Sequence, residues 1–442
     1  MLAAVLGFAM AFISLTGCGG GNSSASNSKE ADSSSTGEIV TIKVLDGFNG
    51  GQSSVAVFEA ENQNIKVDYE YVVAENFYGK FSAMVAAGEA PDVVWAQSGF
   101  FVDQVKSGLL LDLTEELKGQ NYEGDAVWQE TFVPELLDNC RGLLRVLGDD
   151  YTSKNFGVPY TMTSIAIVYD KALFDKLGLK APTTYEEFTK VNNTLKENGY
   201  TPLSMIQDWM DWYPRLFWDQ YCRDVLDKDP KAFEDGTMTF KDPAVYKGLE
   251  SFKEMWDKGW FPESGITDTR ETMQQLFVQG KVAQVATVPN ILSYMADNVP
   301  EGVELASYAF PGIAGKPSRS LGGASHAYGI SKDSKHQAEA LRYIKFLTSK
   351  TNFTQEYAKY YNSGLVNVKR DPSLDQFLQG FTDAAKGGFS PDIYVPVNAT
   401  PELSNASKTD ILPNYLLGKY DIDKVTDEYQ KIYQESYLNN LK

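Results

Sequence analysis

The sequence is poor in the residues that build disulfide frameworks and metal centres. Only three of its 442 residues are cysteine and two are histidine. Cys140 and Cys222 could pair outside the cell or remain two buried thiols, and their spacing does not decide between these alternatives. His326 and His336 do not form an HExxH zinc site. No metal site and no cofactor are therefore expected.

Positive charge is also scarce. The chain has 40 lysine and arginine residues against 59 aspartate and glutamate residues, a formal net charge of -19. Because nucleic-acid binding needs clustered cations to neutralise phosphates, nucleic acid is excluded as a partner. The same charge disfavours binding to an anionic lipid surface.

Catalytic motifs are few. Gly280-Lys281 is followed by Val282 rather than by serine or threonine, so it is not a phosphate-binding loop, and no G-x-S-x-G elbow occurs. The many acidic residues leave a carboxylate pair for glycoside hydrolysis open. A secreted glycoside hydrolase is thus an alternative from another functional class, and a surface adhesin is a third.

Long apolar runs are absent except at the amino terminus, where one extends from Leu2 to Leu15. This run is too short to span a bilayer as a helix and is typical of a signal peptide. It leads into Leu15-Thr16-Gly17-Cys18, which resembles a bacterial lipobox. The sequence therefore predicts a signal peptide over 1–17, a lipidated Cys18, and anchoring to the extracellular face of the cell membrane.

Residues 18–38 consist mainly of glycine, serine and asparagine with scattered charge. Such a segment cannot bury enough apolar surface to offset the entropy lost on ordering. We expect it to be a flexible tether.

From Ile39 onward the sequence is typical of a globular α/β protein. About 400 residues exceed what one hydrophobic core usually supports, so two lobes are expected. Alternating apolar residues predict strands at 40–44, 65–71 and 91–95, and helical spacing predicts a helix that Gly88 ends. Thr184-x-x-Glu187 and Ser334-x-x-Gln337 each predict a capping box that opens a helix. Strands that alternate with helices favour mostly parallel sheets covered on both faces.

Four segments, in this order, resemble one family, the extracellular solute-binding proteins of ABC importers of the maltose-binding-protein type. They are Gly88–Trp95 with Ser107–Leu110, Gly157–Tyr160 with Ile167–Lys171, Phe277–Ala283, and Gly322–Gly323 with Gly329–Ser331 and the helix that follows Ser334. The resemblance covers nearly the whole chain after the lipobox. It departs from the family in the first loop, which offers Phe48 and Asn49 instead of tryptophan, and at Val288-Pro289-Asn290.

The resemblance implies a two-lobed, type II periplasmic-binding-protein fold with hinge crossings. It places lobe 1 at 39–163 and 327–366, and lobe 2 at 164–326 and 367–442. It further implies a monomer, not an enzyme, that captures a small solute between the lobes and delivers it to the permease subunits of an ABC importer. A sugar or short oligosaccharide is the expected ligand, and a polyamine or another small solute is the alternative.

Aromatic residues supply the first candidate ligand contacts. Trp209, Asp211 and Trp212 precede a helix that begins near Pro214, and Trp95 ends a predicted strand. Indole faces match the C–H faces of a pyranose ring, and a carboxylate can accept hydrogen bonds from two adjacent hydroxyls. Tyr213, Phe217 and Tyr221, spaced by four, are assigned instead to the core.

The remaining candidates lie in loops that the resemblance places beside the cleft. Glycines allow close backbone approach around His326, which makes this histidine a candidate contact. The other candidates are Phe48, Asn49, Tyr160, Thr163, Asn290, Gly323 and Ser325.

Overall fold

The computed structural model describes residues 38–47, 51–96, 98–313, 315–316, 318–353, 362–366, 368, 372–390 and 395–440. The predicted signal peptide, Cys18 and the tether up to residue 37 lie outside these residues, as do Phe48 and Asn49. No helix in the described part is long and apolar enough to cross a bilayer.

Strands and helices alternate along the described chain. The strands are β1 (Val40–Asp46), β2 (Ile65–Tyr71), β3 (Val93–Ala96), β4 (Val158–Ser164), β5 (Ala166–Asp170), β6 (Thr201–Leu203), β7 (Val282–Thr287), β8 (Leu305–Ala309), β9 (Gly322–Ile330) and β10 (Asn362–Ser363). The helices are α1 (Gln52–Glu61), α2 (Ala74–Ala86), α3 (Ser98–Lys106), α4 (Pro134–Leu143), α5 (Asp149–Thr152), α6 (Lys171–Lys176), α7 (Tyr185–Glu197), α8 (Trp212–Tyr221), α9 (Arg223–Leu226), α10 (Pro243–Asp257), α11 (Arg270–Val278), α12 (Leu292–Asn298), α13 (Gln337–Leu347), α14 (Lys350–Phe353), α15 (Asp375–Lys386), α16 (Pro401–Ala406), α17 (Leu412–Leu416) and α18 (Ile422–Ser436). This alternation confirms the predicted α/β class.

The strands form two sheets, one with the order β10-β4-β9-β3-β1-β2 and one with the order β6-β7-β5-β8. β1 pairs in parallel with β2 and β3, and β6 pairs in parallel with β7. The other pairings, which involve β4, β5 and β9, are antiparallel. The prediction of mostly parallel sheets was therefore wrong. β5 begins just after the chain leaves the larger sheet, and β9 begins just after it returns to that sheet. Each therefore runs in the opposite direction to its neighbouring strands in the sheet.

Each sheet has its own hydrophobic core. The core of the larger sheet draws on residues from Ile42 to Tyr160 and from Ala327 to Leu365. The core of the smaller sheet draws on residues from Ile165 to Leu321 and from Phe377 to Tyr433. The chain therefore crosses from the first core to the second at Ser164–Ile165, returns at Leu321–Gly322, and crosses to the second core again between Leu365 and Phe377.

The two described cysteines are free and buried, Cys140 in the first core and Cys222 in the second. Burial raises the pKa of each thiol to about 12. Of the two alternatives for these cysteines, the buried thiols are correct.

Candidate functional site

In both sheets, several strands end or begin at the crossings between the two cores. In the larger sheet, β4 ends beside the start of β9, where Ser164 lies opposite Gly322. β3 ends beside the middle of β9, where Ala96 lies opposite Ala327. In the smaller sheet, β7 and β8 end beside the start of β5, because Thr287 and Ala309 both pair with Ala166. Ligands of open α/β sheets bind outside the carboxyl ends of the strands. These two edges therefore define the candidate site.

Two tryptophans stack on each other just after β6. Trp209 ends a 3-10 turn (Gln207–Trp209), and Trp212 is the first residue of α8. The two indoles lie 4.3 Å apart at an interplanar angle of 10°, and both residues are half-buried. The prediction that both precede the helix holds for Trp209, whereas Trp212 begins it.

Asp211, between these tryptophans, is not placed to contact a ligand in this conformation. It is 1% exposed, and its Oδ2 lies 3.9 Å from Nη1 of Arg215, one turn along α8. Its carboxylate oxygens accept no hydrogen bond from the described part of the chain. The carboxylate is enclosed and faces a cation of its own helix, and direct hydroxyl binding by Asp211 stays a prediction.

Trp95 is likewise enclosed, since it lies 1% exposed between neighbouring side chains. Phe77 meets it edge-on at 5.0 Å, and a Cβ built on Gly47 would lie 2.2 Å from its Cε3. The indole is enclosed in this conformation, and direct contact by Trp95 stays a prediction. Its Nε1 instead donates to Nδ1 of His326 over 3.3 Å, and the two rings lie 5.9 Å apart and nearly parallel.

His326 lies in the middle of β9, four residues after the return crossing at Gly322, and is half-buried. Burial lowers the pKa of its imidazole to about 3, so the ring is neutral at physiological pH. Because Nδ1 accepts the bond from Trp95, the proton of the neutral ring is on Nε2. Trp95 thus orients a neutral histidine beside the crossing.

The other predicted contacts divide between core and edge. Tyr160 is fully buried and packs against the rings of Tyr328 and Phe353, and ligand contact by its side chain stays a prediction. Thr163 is half-buried and lies opposite Gly323 in the β4–β9 ladder. Asn290 and Ser325 lie at the same edges, in a 3-10 turn after β7 and in the first half of β9.

Sequence reasoning missed two side chains at these edges. Asp46, at the carboxyl end of β1, is fully buried and accepts hydrogen bonds from the hydroxyls of Tyr69 and Tyr328 and from the backbone N–H of Gly51. Its signal was an acidic residue closing an apolar strand before a glycine-rich loop. Arg270, the first residue of α11, holds its guanidinium 5.4 Å from the ring of Trp209. No sequence motif marks this contact.

The described residues contain no cluster of three or more side chains suited to hold a metal ion. A search of protein families matches residues 45–352 to the bacterial extracellular solute-binding proteins. This match spans well over half of the chain. The chain belongs to that family. Its role is therefore solute binding rather than catalysis, and the family assignment made from the sequence is confirmed.

Relatives of this solute-binding protein cover most of its length. It is 27% identical to a binding protein of Brucella abortus, over 83% of this chain and 85% of the relative. It is 22% identical to the melibiose/raffinose/stachyose-binding protein MelE of Bacillus subtilis, over 98% and 97% of the two chains. The solved structure of the sugar-binding protein MalE from Xanthomonas citri superposes with a TM-score of 0.74 at 17% identity, covering 91% of this chain and 100% of that one. The two-sheet fold of the family is confirmed.

Proposed function

We propose that this protein captures a neutral sugar or oligosaccharide between its two sheets and delivers it to the permease of an ABC importer. The observation that carries the proposal is the stacked Trp209–Trp212 pair beside the carboxyl end of β6. An indole face offers the C–H side of a pyranose ring an apolar surface of matching size. The similarity to MelE, which is named for melibiose, raffinose and stachyose, supports the same ligand class.

Of the acids near the tryptophans in the sequence, Asp208 is exposed, whereas Asp211 and Asp219 are buried beside cations, which favours a neutral ligand over a polyamine. Asp219 is fully buried and forms ion pairs with Arg223 and Arg319. The carboxylate of Asp211 faces Arg215. A polyamine would need unpaired acids beside aromatic faces, whereas these two acids already face internal cations.

We further propose that the cores correspond to two lobes, 39–163 with 327–366 and 164–326 with 367–442. The ligand would then hold the lobes together, because each edge supplies part of the contacts. Gly322 and Gly323 at the return crossing have φ values of 117° and 97°, a conformation that glycine adopts readily.

The proposed membrane link is a lipid on Cys18, followed by the tether to residue 38. The Leu15-Thr16-Gly17-Cys18 sequence supports it. Cys18→Ala should abolish incorporation of labelled fatty acid in cells, and labelling equal to the parent would place the anchor elsewhere.

Calorimetric titration of the mature protein with raffinose, stachyose and spermidine tests the ligand class. We expect a sugar to bind, and Trp212→Ala to weaken that binding at least tenfold, about 1.4 kcal/mol, because the stacking face is lost. Trp256→Ala is the matched control, since Trp256 is also half-buried but lies in the last turn of α10. Tight binding of spermidine alone would reject the sugar proposal, and equal effects of the two substitutions would reject the role of Trp212.

A further inference from the structure

Three flat groups form a column at the edge of the smaller sheet. The guanidinium of Arg270 lies 5.4 Å from the ring of Trp209, and Trp209 stacks on Trp212 at 4.3 Å. Trp209 is therefore the member of this column that neighbours both the cation and the second indole.

We propose that Arg270 is a positioning residue for ligand binding, which fixes Trp209 so that Trp212 presents its outer face as the stacking surface for the sugar. This inference rests on the proposed sugar-binding function. Because Trp209 covers one face of Trp212, only the opposite face is left for a ligand ring. In this inference Trp209 is a support rather than a contact, because its ring neighbours both the guanidinium of Arg270 and the indole of Trp212.

The backbone around the column holds the two sides of this contact together. The N–H of Gln207, which begins the 3-10 turn of Trp209, donates to the carbonyl of Asp268 over 3.1 Å. Thr269 caps α11 by accepting the N–H of Thr272, which sets the direction in which the helix leaves. Arg270 follows directly, so the segment that carries the guanidinium is tied to the segment that carries Trp209.

Arginine suits this position for a chemical reason. Its planar guanidinium can lie on an indole face and be attracted to the ring quadrupole, while its edges keep their hydrogen bonds to water. Arg270 is exposed, so this geometry leaves its charge hydrated. A lysine would keep the charge but lose the flat contact.

The stack itself can be tested without a ligand. Two stacked indoles give an exciton couplet in circular dichroism, and we expect the parent to show one. Trp209→Ala should abolish the couplet, Arg270→Ala should reduce it, and Arg270→Lys should retain more of it than Arg270→Ala. Lys258→Ala is the matched control, because Lys258 lies 5.1 Å over the ring of Trp260 in the same core and should leave the couplet unchanged.

Raffinose titrations then test what the column does. Arg270→Ala should weaken affinity roughly two- to fivefold, the equivalent of one exposed cation–π contact, and Arg270→Lys should restore part of it. In a Trp209→Ala background, Arg270→Ala should change affinity no further, because the arginine acts only through that ring.

The outcomes separate this inference from the proposed function. An equal loss of affinity from Arg270→Ala with and without Trp209 would show that the arginine contacts the ligand itself and would overturn the inference. An unchanged couplet in Arg270→Ala would also overturn it. A couplet that depends on Arg270 in a protein that binds no sugar would support the column and reject the proposed function.

Discussion

At the scale of single residues, the sequence indicates which side chains could bind a sugar but not the direction in which they point. Trp95 and Asp211 were predicted as ligand contacts, yet each is 1% exposed. β3 is buried along its whole length, so an indole at its end packs inward as readily as outward. Residue type predicts what a side chain could bind. The burial of Trp95 depends instead on how residues elsewhere in the chain, such as Phe77 and Gly47, pack against it.

The neutral state of His326 predicts a pH dependence of stability. Its folded pKa is about 3, against about 6.5 in an unfolded chain. Between these values the unfolded chain binds a proton that the native ring does not, so the free energy of unfolding should fall as pH falls below about 6.5. The contribution is about 2 kcal/mol at pH 5.

Denaturant unfolding at pH 7 and pH 5 measures this effect. Both proteins should carry His336→Gln, so that His326 is the only histidine compared. Replacing His326 by glutamine keeps an acceptor for Nε1 of Trp95, and it should make the loss of stability toward pH 5 smaller. The same loss in both proteins would contradict the burial of this imidazole.

At the scale of helices and strands, local signals succeeded where the partners are local. The capping box at Thr184 and Glu187 is present, with both reciprocal bonds. The capping box predicted at Ser334 was wrong: α13 begins at Gln337 without a side-chain cap, and the hydroxyl of Ser334 donates to Asp92. Asp92 is 242 residues away, and sequence spacing carries no signal for such a partner.

Strand pairing shows the same limit. The alternation at β1 and β2 predicted two strands, and both are confirmed. The antiparallel insertion of β9 between β3 and β4 depends on the return of the chain from the other core, which no local pattern encodes.

Gly322, at the start of β9, provides a test of the crossing between the cores. Its φ is 117°, and a Cβ there would lie 2.3 Å from the carbonyl oxygen of Thr163. Gly322→Ala should therefore lower the free energy of unfolding by about 3 kcal/mol, because it combines backbone strain with a clash against backbone. Chemical denaturation gives the value.

The matched control is Gly302→Ala, at φ 92° with no atom within 4 Å of the added Cβ. This change should cost only the backbone strain, about 1–2 kcal/mol. If Gly322→Ala were no more destabilising than Gly302→Ala, the close approach of β9 to Thr163 would not contribute to the stability of the crossing.

At the scale of the whole molecule, the two separate cores matter most. Each sheet keeps its own buried cluster, so a change in the angle between the proposed lobes would not need to expose either core. A hydrogen bond links the crossing at Ser164–Ile165 to the crossing at Leu321–Gly322, since the N–H of Ile165 donates to the hydroxyl of Ser320. The sequence predicted lobe boundaries at 163/164 and 326/327, close to the points where the chain passes between the two cores, Ser164–Ile165 and Leu321–Gly322.

Closure of the lobes around a sugar is the last prediction. A ligand shifts an open–closed equilibrium only by its differential affinity for the two states, and a sugar that touches both edges binds the closed state better. Solution scattering of the mature protein should therefore show a smaller radius of gyration with saturating raffinose than without it. Trp212→Ala, at a raffinose concentration that saturates the parent but not the variant, should keep the larger radius. A parent whose radius stays the same at saturation, with binding verified by calorimetry in the same sample, would show that this sugar binds without lobe closure.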